Sequence, residues 1–127
     1  MNTTELVLTF PAPAEVLSIN KANGMHWARR SAVTKQWRDV STWQAIRHCR
    51  VNMWSPSTVQ VRLPFETKRE RDGHNYTGTV VKAIVDGLVN GGLWPTDTPE
   101  WVTVADPELY VVPKGSPLLV TVTVTPR

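Results

Sequence analysis

An alternation of side-chain types near the end of the chain constrains the fold more than any other feature. Between residues 118 and 125, apolar residues occupy every second position, and the intervening positions are mostly threonine. Side chains of a strand point alternately to its two faces, so this pattern predicts a strand with one buried face. Valine and threonine also favour extended backbone. The apolar series is Leu118, Val120, Val122 and Val124, and the other series is Leu119, Thr121, Thr123 and Thr125.

Three further segments predict strands that could join this one in a sheet. Residues 6–10 alternate and stop at Pro11 and Pro13, and residues 59–65 alternate over a longer stretch. A third segment opens at residues 101–104, with residues 110–112 as its possible continuation. The segment between the first strand and His26 is predicted to be a loop.

A stretch without glycine or proline runs from His26 to Arg50 and predicts one long amphipathic helix with a basic outer face. Apolar residues recur in it every third position, which predicts that Trp37 and Trp43 lie in the core. The lone cysteine is expected to be a buried apolar residue. This apolar row is Trp37, Val40, Trp43, Ile46 and Cys49.

A second helix is predicted from about Thr79 to Asn90, where Gly91 and Gly92 end it. The resulting order β-α-β-α-β-β predicts an α/β fold, with a mixed sheet covered by two helices and a terminal hairpin. A length of 127 residues is typical of one domain, so residues 1–127 are expected to form it.

The charge is unevenly distributed along the chain, although the formal net charge is only +3. Residues 1–71 hold 11 Lys/Arg and 5 Asp/Glu, a balance of +6, and residues 72–127 hold 3 and 6, a balance of −3. Basic surface could follow a phosphate backbone and clustered acids could hold a divalent cation. The alternative is that both are solvated faces.

Several classes of protein are disfavoured by what the sequence lacks. A single cysteine cannot form an internal disulfide, and no cysteine cluster suggests zinc. No apolar run approaches the ~20 residues of a membrane span. Residues 1–5 carry no positive charge, which argues against a secretory signal. We therefore expect a cytoplasmic protein with no membrane partner and no organic cofactor.

The residues best suited to catalysis or metal binding fall between positions 68 and 97. Carboxylates there could hold Mg²⁺, which prefers oxygen ligands, and a lysine could stabilise charge on a phosphate. The alternatives are that the two loop aspartates form turns and that Lys82 and Asp86 form an ordinary exposed ion pair. The set comprises Asp72, His74, Lys82, Asp86 and Asp97.

Three consecutive motifs here resemble those of the RusA-type Holliday-junction resolvases, small endodeoxyribonucleases of phages and prophages. Residues 69–75 read RERDGHN, residues 82–88 read KAIVDGL and residues 92–97 read GLWPTD. The pattern of that family is a basic run, D-x-D-N, K-A-x-x-D-x-L, and then a glycine-containing turn that ends in D-D before a strand. The resemblance covers most of the chain in layout and is specific over about residues 68–104.

The resemblance implies a role for each matching position. Asp72 and Asn75 match D-x-D-N, Lys82 and Asp86 match the second motif, and Asp97 matches the second acid of the D-D pair. It implies Mg²⁺ on the motif carboxylates, an assisting lysine, and a homodimer that nicks opposing strands of a four-way DNA junction. A phage-encoded chain would act in the cytoplasm of its bacterial host.

Two positions depart from the family pattern. His74 and Thr96 stand where aspartates are expected. A neutral His74 imidazole could ligate metal, which would favour Mn²⁺, or act as the base for the attacking water. The alternative is a loop histidine that hydrogen-bonds to the backbone. With this sequence, we expect metal on Asp72, His74 and Asp97, and catalytic roles for Lys82, His74 and Asp86.

The expected function is therefore a metal-dependent, structure-selective endodeoxyribonuclease that resolves four-way junctions by symmetric phosphodiester hydrolysis. Its DNA contacts are expected from basic residues of the long helix and of the loop before Asp72. The alternatives are a catalytically weakened junction-binding module of the same fold and a structural phage protein. The expected DNA-binding residues are Lys68, Arg69, Arg71, Arg29 and Arg30.

Overall fold

The computed structural model describes residues 5–48 and 55–127, and they form a small α/β domain around a mixed, open sheet. The α/β fold class predicted from the sequence is thus confirmed. The sheet has five strands in the order β1-β5-β2-β3, and β4 also pairs with β2. The strands are β1 (Leu6–Pro11), β2 (Ser57–Phe65), β3 (Val102–Val104), β4 (Glu108–Val111) and β5 (Leu119–Pro126).

The last strand lies in the middle of the sheet. It pairs antiparallel with β1 on one side and with β2 on the other, while β3 and β4 follow one another in parallel along the far edge of β2. The expected terminal hairpin is therefore wrong. Insertion between β1 and β2 buries the alternating valines of β5 against apolar rows on both sides, which a hairpin with the short β4 would not do.

One face of the sheet carries the core. Val122 is paired with Leu8 on one side and with Val61 on the other, and all three are at most 2% exposed. The opposite face is only partly covered and is rich in threonine, with Thr9 exposed and Thr121 and Thr123 half-buried. The helices therefore cover a single face, which leaves the sheet open on the other.

Three α-helices are present in the described ranges, where two were expected: α1 (Ile19–Asn23), α2 (Trp27–His48) and α3 (Lys82–Asn90). The short α1 lies in the predicted loop, where Ser18 caps it by accepting a hydrogen bond from the Lys21 N–H at 3.2 Å. A 3₁₀ turn (Gly73–Tyr76) and a π-helical turn (Thr77–Val81) lead directly into α3.

The two longer helices pack closely because small residues face each other. A Cβ on Gly91 would come within 2.5 Å of the Ala45 Cβ, so only glycine permits this approach. The buried row of α2 advances by four residues and consists of Val33, Trp37, Ser41 and Ala45.

The expected i+3 row of α2 is therefore only partly buried. Trp37 is buried as predicted, but Trp43 and Ile46 are 61% and 51% exposed, which corrects the prediction that Trp43 lies in the core. The last member of the row, Cys49, lies outside the described residues. No helix within residues 5–48 and 55–127 is both long and apolar enough to cross a membrane.

Candidate active site

A lysine lies between two carboxylates at the surface beside α3. Lys82 Nζ is 2.7 Å from Asp86 Oδ1, one helical turn further on, and 2.6 Å from Asp97 Oδ2 in the loop that follows the helix. The i,i+4 spacing alone explains the first contact. The second requires the loop to fold back along α3, and it brings together three of the five residues singled out at positions 72–97.

Both aspartates change the pKa of Lys82. The hydrogen bond to Asp86, followed by that to Asp97, raises the pKa of Lys82 above its usual value. The hydrogen bond from Lys82 lowers the pKa of Asp97. At neutral pH the ammonium group is therefore protonated and Asp97 is ionised.

A buried tryptophan anchors the loop that carries Asp97. Trp94 is 2% exposed, and its indole Nε1–H donates to the Ser55 carbonyl oxygen at 3.1 Å. Beyond it, the hydroxyl groups of Thr96 and Thr98 lie 2.9 Å apart, and the Trp101 N–H donates to the Thr98 carbonyl oxygen. Thr96 thus supports the turn at a position where the resembled family has an acid.

Asp72 caps the 3₁₀ turn and His74 lies on it, before the π-helical turn and α3. Both are exposed, and Asp72 Oδ1 accepts a hydrogen bond from the His74 backbone N–H at 3.0 Å. In the described part of the chain, no hydrogen bond or ion pair joins either residue to Lys82, Asp86 or Asp97. Nor does that part hold a group of three or more His, Cys, Asp or Glu side chains placed for a metal ion.

The chemistry of the donors around Lys82 nevertheless fits a divalent cation. Two carboxylates already share one positive charge, and Mg²⁺ typically binds through one or two carboxylates together with waters and substrate phosphates. Asp86 and Asp97 are the residues that would hold the ion.

Clefts adjoin the Lys82 cluster, which consists of Lys82, Asp86 and Asp97. One of about 210 Å³ lies between α2 and the helical segment that contains Gly78, and Arg30, Lys82 and Asp86 line it. Another, of about 390 Å³, is lined by Arg38, Asp86 and Asp97 among others. Arg38 belongs to the basic outer face predicted for this helix but is not one of the five expected DNA-binding residues; its position eight residues after Arg30 places both on one side of α2.

The five predicted DNA-binding residues differ in how far their charges are already paired. Arg29 forms an ion pair with Glu15 at 2.7 Å. The Arg71 guanidinium lies 4.0 Å from the centre of the Phe65 ring and donates to the Thr67 carbonyl oxygen.

The other three keep their charge available. Within residues 5–48 and 55–127, the Arg30 side chain donates a hydrogen bond to the neutral Asn23 amide oxygen at 3.3 Å and forms no ion pair. Lys68 and Arg69 are exposed. These three residues therefore suit phosphate contact better than Arg29 and Arg71 do.

No model of a known protein family matches the chain, and no curated protein sequence matches it. The geometry around Lys82 offers an ammonium group held between two carboxylates, with arginines lining the adjoining clefts. Such a set is suited to binding a phosphodiester beside a divalent cation.

Proposed function

We propose that this chain is a metal-dependent endodeoxyribonuclease of RusA-like fold that cleaves four-way DNA junctions as a homodimer in the cytoplasm. The observation that carries the proposal is the position of Lys82, within 2.7 Å of carboxylate oxygens from both Asp86 and Asp97. These are matching positions of two separate motifs, and the fold brings them to one place.

The chain's own groups suit hydrolysis of a phosphodiester. Asp86 and Asp97 would hold Mg²⁺ or Mn²⁺, which when bound supplies charge neutralisation at the phosphate and a water of lowered pKa. The Lys82 ammonium group stabilises negative charge that develops on the phosphate oxygens. The exposed His74 imidazole, on the 3₁₀ turn before α3, is the chain's candidate base for the attacking water.

The homodimer follows from the symmetry of the substrate. A four-way junction is resolved by two nicks in opposing strands, and one chain supplies one Lys82 cluster. A two-fold dimer places two such clusters in equivalent positions. The proposal therefore couples paired nicking to dimerisation.

The test compares a labelled synthetic four-way junction with a linear duplex of the same sequence. Each is incubated with the protein in Mg²⁺, in Mn²⁺ and in chelator, and light scattering gives the oligomeric state. Asp97→Asn removes a proposed metal ligand, and Asp106→Asn is a matched control at an exposed aspartate outside the cluster. Paired symmetric nicks in the junction alone, lost in chelator and in Asp97→Asn but kept in Asp106→Asn, are the expected result.

The separation of Asp72 and His74 from the Lys82 cluster favours one alternative, a junction-binding module with a weakened site. It predicts tight junction binding without nicks in either metal. Mn²⁺ binding by Asp72→Asn and Asp97→Asn then assigns the ligands. A loss in both variants would bring Asp72 into the metal site, and a loss in Asp97→Asn alone would restrict it to Asp86 and Asp97.

A further inference from the structure

The side chain of Trp27, at the start of α2, is 75% exposed, the largest exposed fraction among the large apolar side chains of the described residues. The His26 ring stacks against it, with ring centroids 5.7 Å apart and an interplanar angle of 29°. One face of the indole is thereby supported and most of its remaining surface is open to solvent. An exposed ring of this size, supported on one face, offers a flat surface on which a partner can stack.

Trp27 stands at one end of a basic groove. The groove has a volume of about 460 Å³, and no carboxylate is among the described residues that line it. Lys35 is paired with Asp39 at 2.6 Å, whereas neither Arg30 nor Arg38 has an ion-pair partner in the described ranges. The lining residues are Trp27, Arg30, Ser31, Thr34, Lys35 and Arg38.

This groove leads to the candidate active site. Arg38 lines both the groove and the cleft that contains Asp86 and Asp97, and Arg30 lines both the groove and the cleft that contains Lys82. From Trp27 to Arg38 the helix rises about 16 Å, which spans several phosphate intervals of a DNA strand. A strand in the groove would therefore reach the Lys82 cluster.

We propose that this groove binds an unpaired segment of a DNA strand, with a base stacked on Trp27 and phosphates on Arg30 and Arg38. Inside a duplex both faces of each base are covered by its neighbours, so an exposed indole finds a free base face only where a strand is unpaired. Cations without carboxylate partners complement phosphates. The inference deepens the proposed function, because it names unpaired nucleotides at the branch as what the enzyme holds.

The test measures binding alone, in chelator, so that no cleavage occurs. Fluorescence anisotropy of a labelled oligothymidylate and of a labelled duplex of equal length is followed with the wild type, Trp27→Ala, Trp27→Phe and Trp43→Ala. Trp43 is the matched control, since it is 61% exposed on the same helix but points about 160° away from Trp27. Thermal unfolding confirms that each variant is folded.

We expect the wild type to prefer the single strand. Trp27→Ala should weaken that binding at least about 5-fold, Trp27→Phe should restore much of it, and Trp43→Ala should change it less than about 2-fold. Arg38→Ala should lower the slope of log affinity against log salt by about 0.7, the value for one phosphate contact on a single strand.

Equal effects of Trp27→Ala and Trp43→Ala would overturn the inference, as would equal affinity for the duplex. The latter would mean that the groove follows a double-stranded arm. Failure of the proposed function looks different. A protein that binds the single strand through Trp27 but never nicks a junction supports the groove and removes the nuclease. If the protein nicks junctions but Trp27→Ala binds the single strand as tightly as the wild type does, the nuclease is supported and the groove is overturned.

Discussion

Gly87 of α3 lies directly against Ser41 of α2, so that a Cβ on Gly87 would stand 2.6 Å from the Ser41 Cβ and nearer still to the Arg38 carbonyl oxygen. The Thr42 hydroxyl lies 3.1 Å from the Gly87 carbonyl oxygen and reinforces the contact. This close approach fixes the distance between the basic face of α2 and the carboxylates beside α3. The geometry of the candidate site thus depends on a residue that carries no functional group.

Gly87→Ala should destabilise the domain by about 1–3 kcal/mol. The added methyl group overlaps backbone atoms that cannot move without separating the helices, and this cost exceeds the gain of up to about 1 kcal/mol in helix propensity. Urea unfolding measures the difference.

Gly78→Ala is the matched control. A Cβ on Gly78 meets nothing within 4 Å, and stability should be unchanged or raised by up to about 1 kcal/mol. Similar losses in both variants would show that backbone freedom, rather than close packing, selects glycine at position 87.

Arg71→Ala should reduce stability by about 1 kcal/mol, whereas Arg69→Ala should change it by less than about 0.5 kcal/mol. The Arg71 guanidinium covers the Phe65 ring and donates to both oxygen atoms of Thr67, while Arg69 is exposed. Urea unfolding together with junction binding at several salt concentrations separates the two roles. A larger stability loss for Arg69→Ala would contradict the assignment.

Glu15→Gln should lower stability near neutral pH by no more than about 1 kcal/mol, and the difference should vanish in acid. The pKa of Glu15 is lowered from 4.5, chiefly by the hydrogen bond from Lys21; burial opposes this, and the charges of Lys21 and Arg29 add to the lowering. A carboxyl group with a lowered folded pKa stabilises above its unfolded pKa and loses that contribution as pH falls through the folded value. Unfolding free energies from neutral pH to below pH 4.5 check this, and a difference that grows with acidity would refute it.

Lys82→Met should bind Mn²⁺ more tightly than the wild type and nick junctions about 100-fold more slowly. The ammonium group occupies the space between Asp86 and Asp97, so it would compete with a metal ion for their oxygens. In the proposed reaction, the same group stabilises negative charge on the phosphate. Calorimetric Mn²⁺ titration and single-turnover cleavage measure the two effects. Weaker Mn²⁺ binding in this variant would mean that the lysine positions the carboxylates instead.

The strands could be predicted from the sequence because alternation is a local property. All four predicted segments lie in the sheet. The third forms both β3 and β4 on one side of β2, and the last forms β5 on the other side of β2. Their order could not be predicted. The placement of β5 between β1 and β2 depends on which apolar rows meet across the whole chain. The buried face of α2 could not be predicted for a related reason. Small residues such as Ser41 and Ala45 face α3, while the large Trp43 faces outwards.

The candidate site was predicted in part. The pairing of Lys82 with Asp86 follows from helical spacing, but the arrival of Asp97 depends on the anchoring of Trp94 in the core. Arg38 gave no distinct signal, since many exposed arginines look alike in sequence. Asp72 and His74 remain a prediction of the motif resemblance.

The central position of β5 has a consequence for biosynthesis. A nascent chain that ends at Ser116 already contains β1 and β2, yet it lacks the strand that joins them. The sheet can close only when β5 has left the ribosome, and until then the edges of β1 and β2 that face β5 remain unpaired. Contacts between such distant segments form slowly. The chain therefore depends during synthesis on the helices alone to shield its apolar rows, and a ribosome-stalled fragment that ends at Ser116 should be readily cleaved by protease.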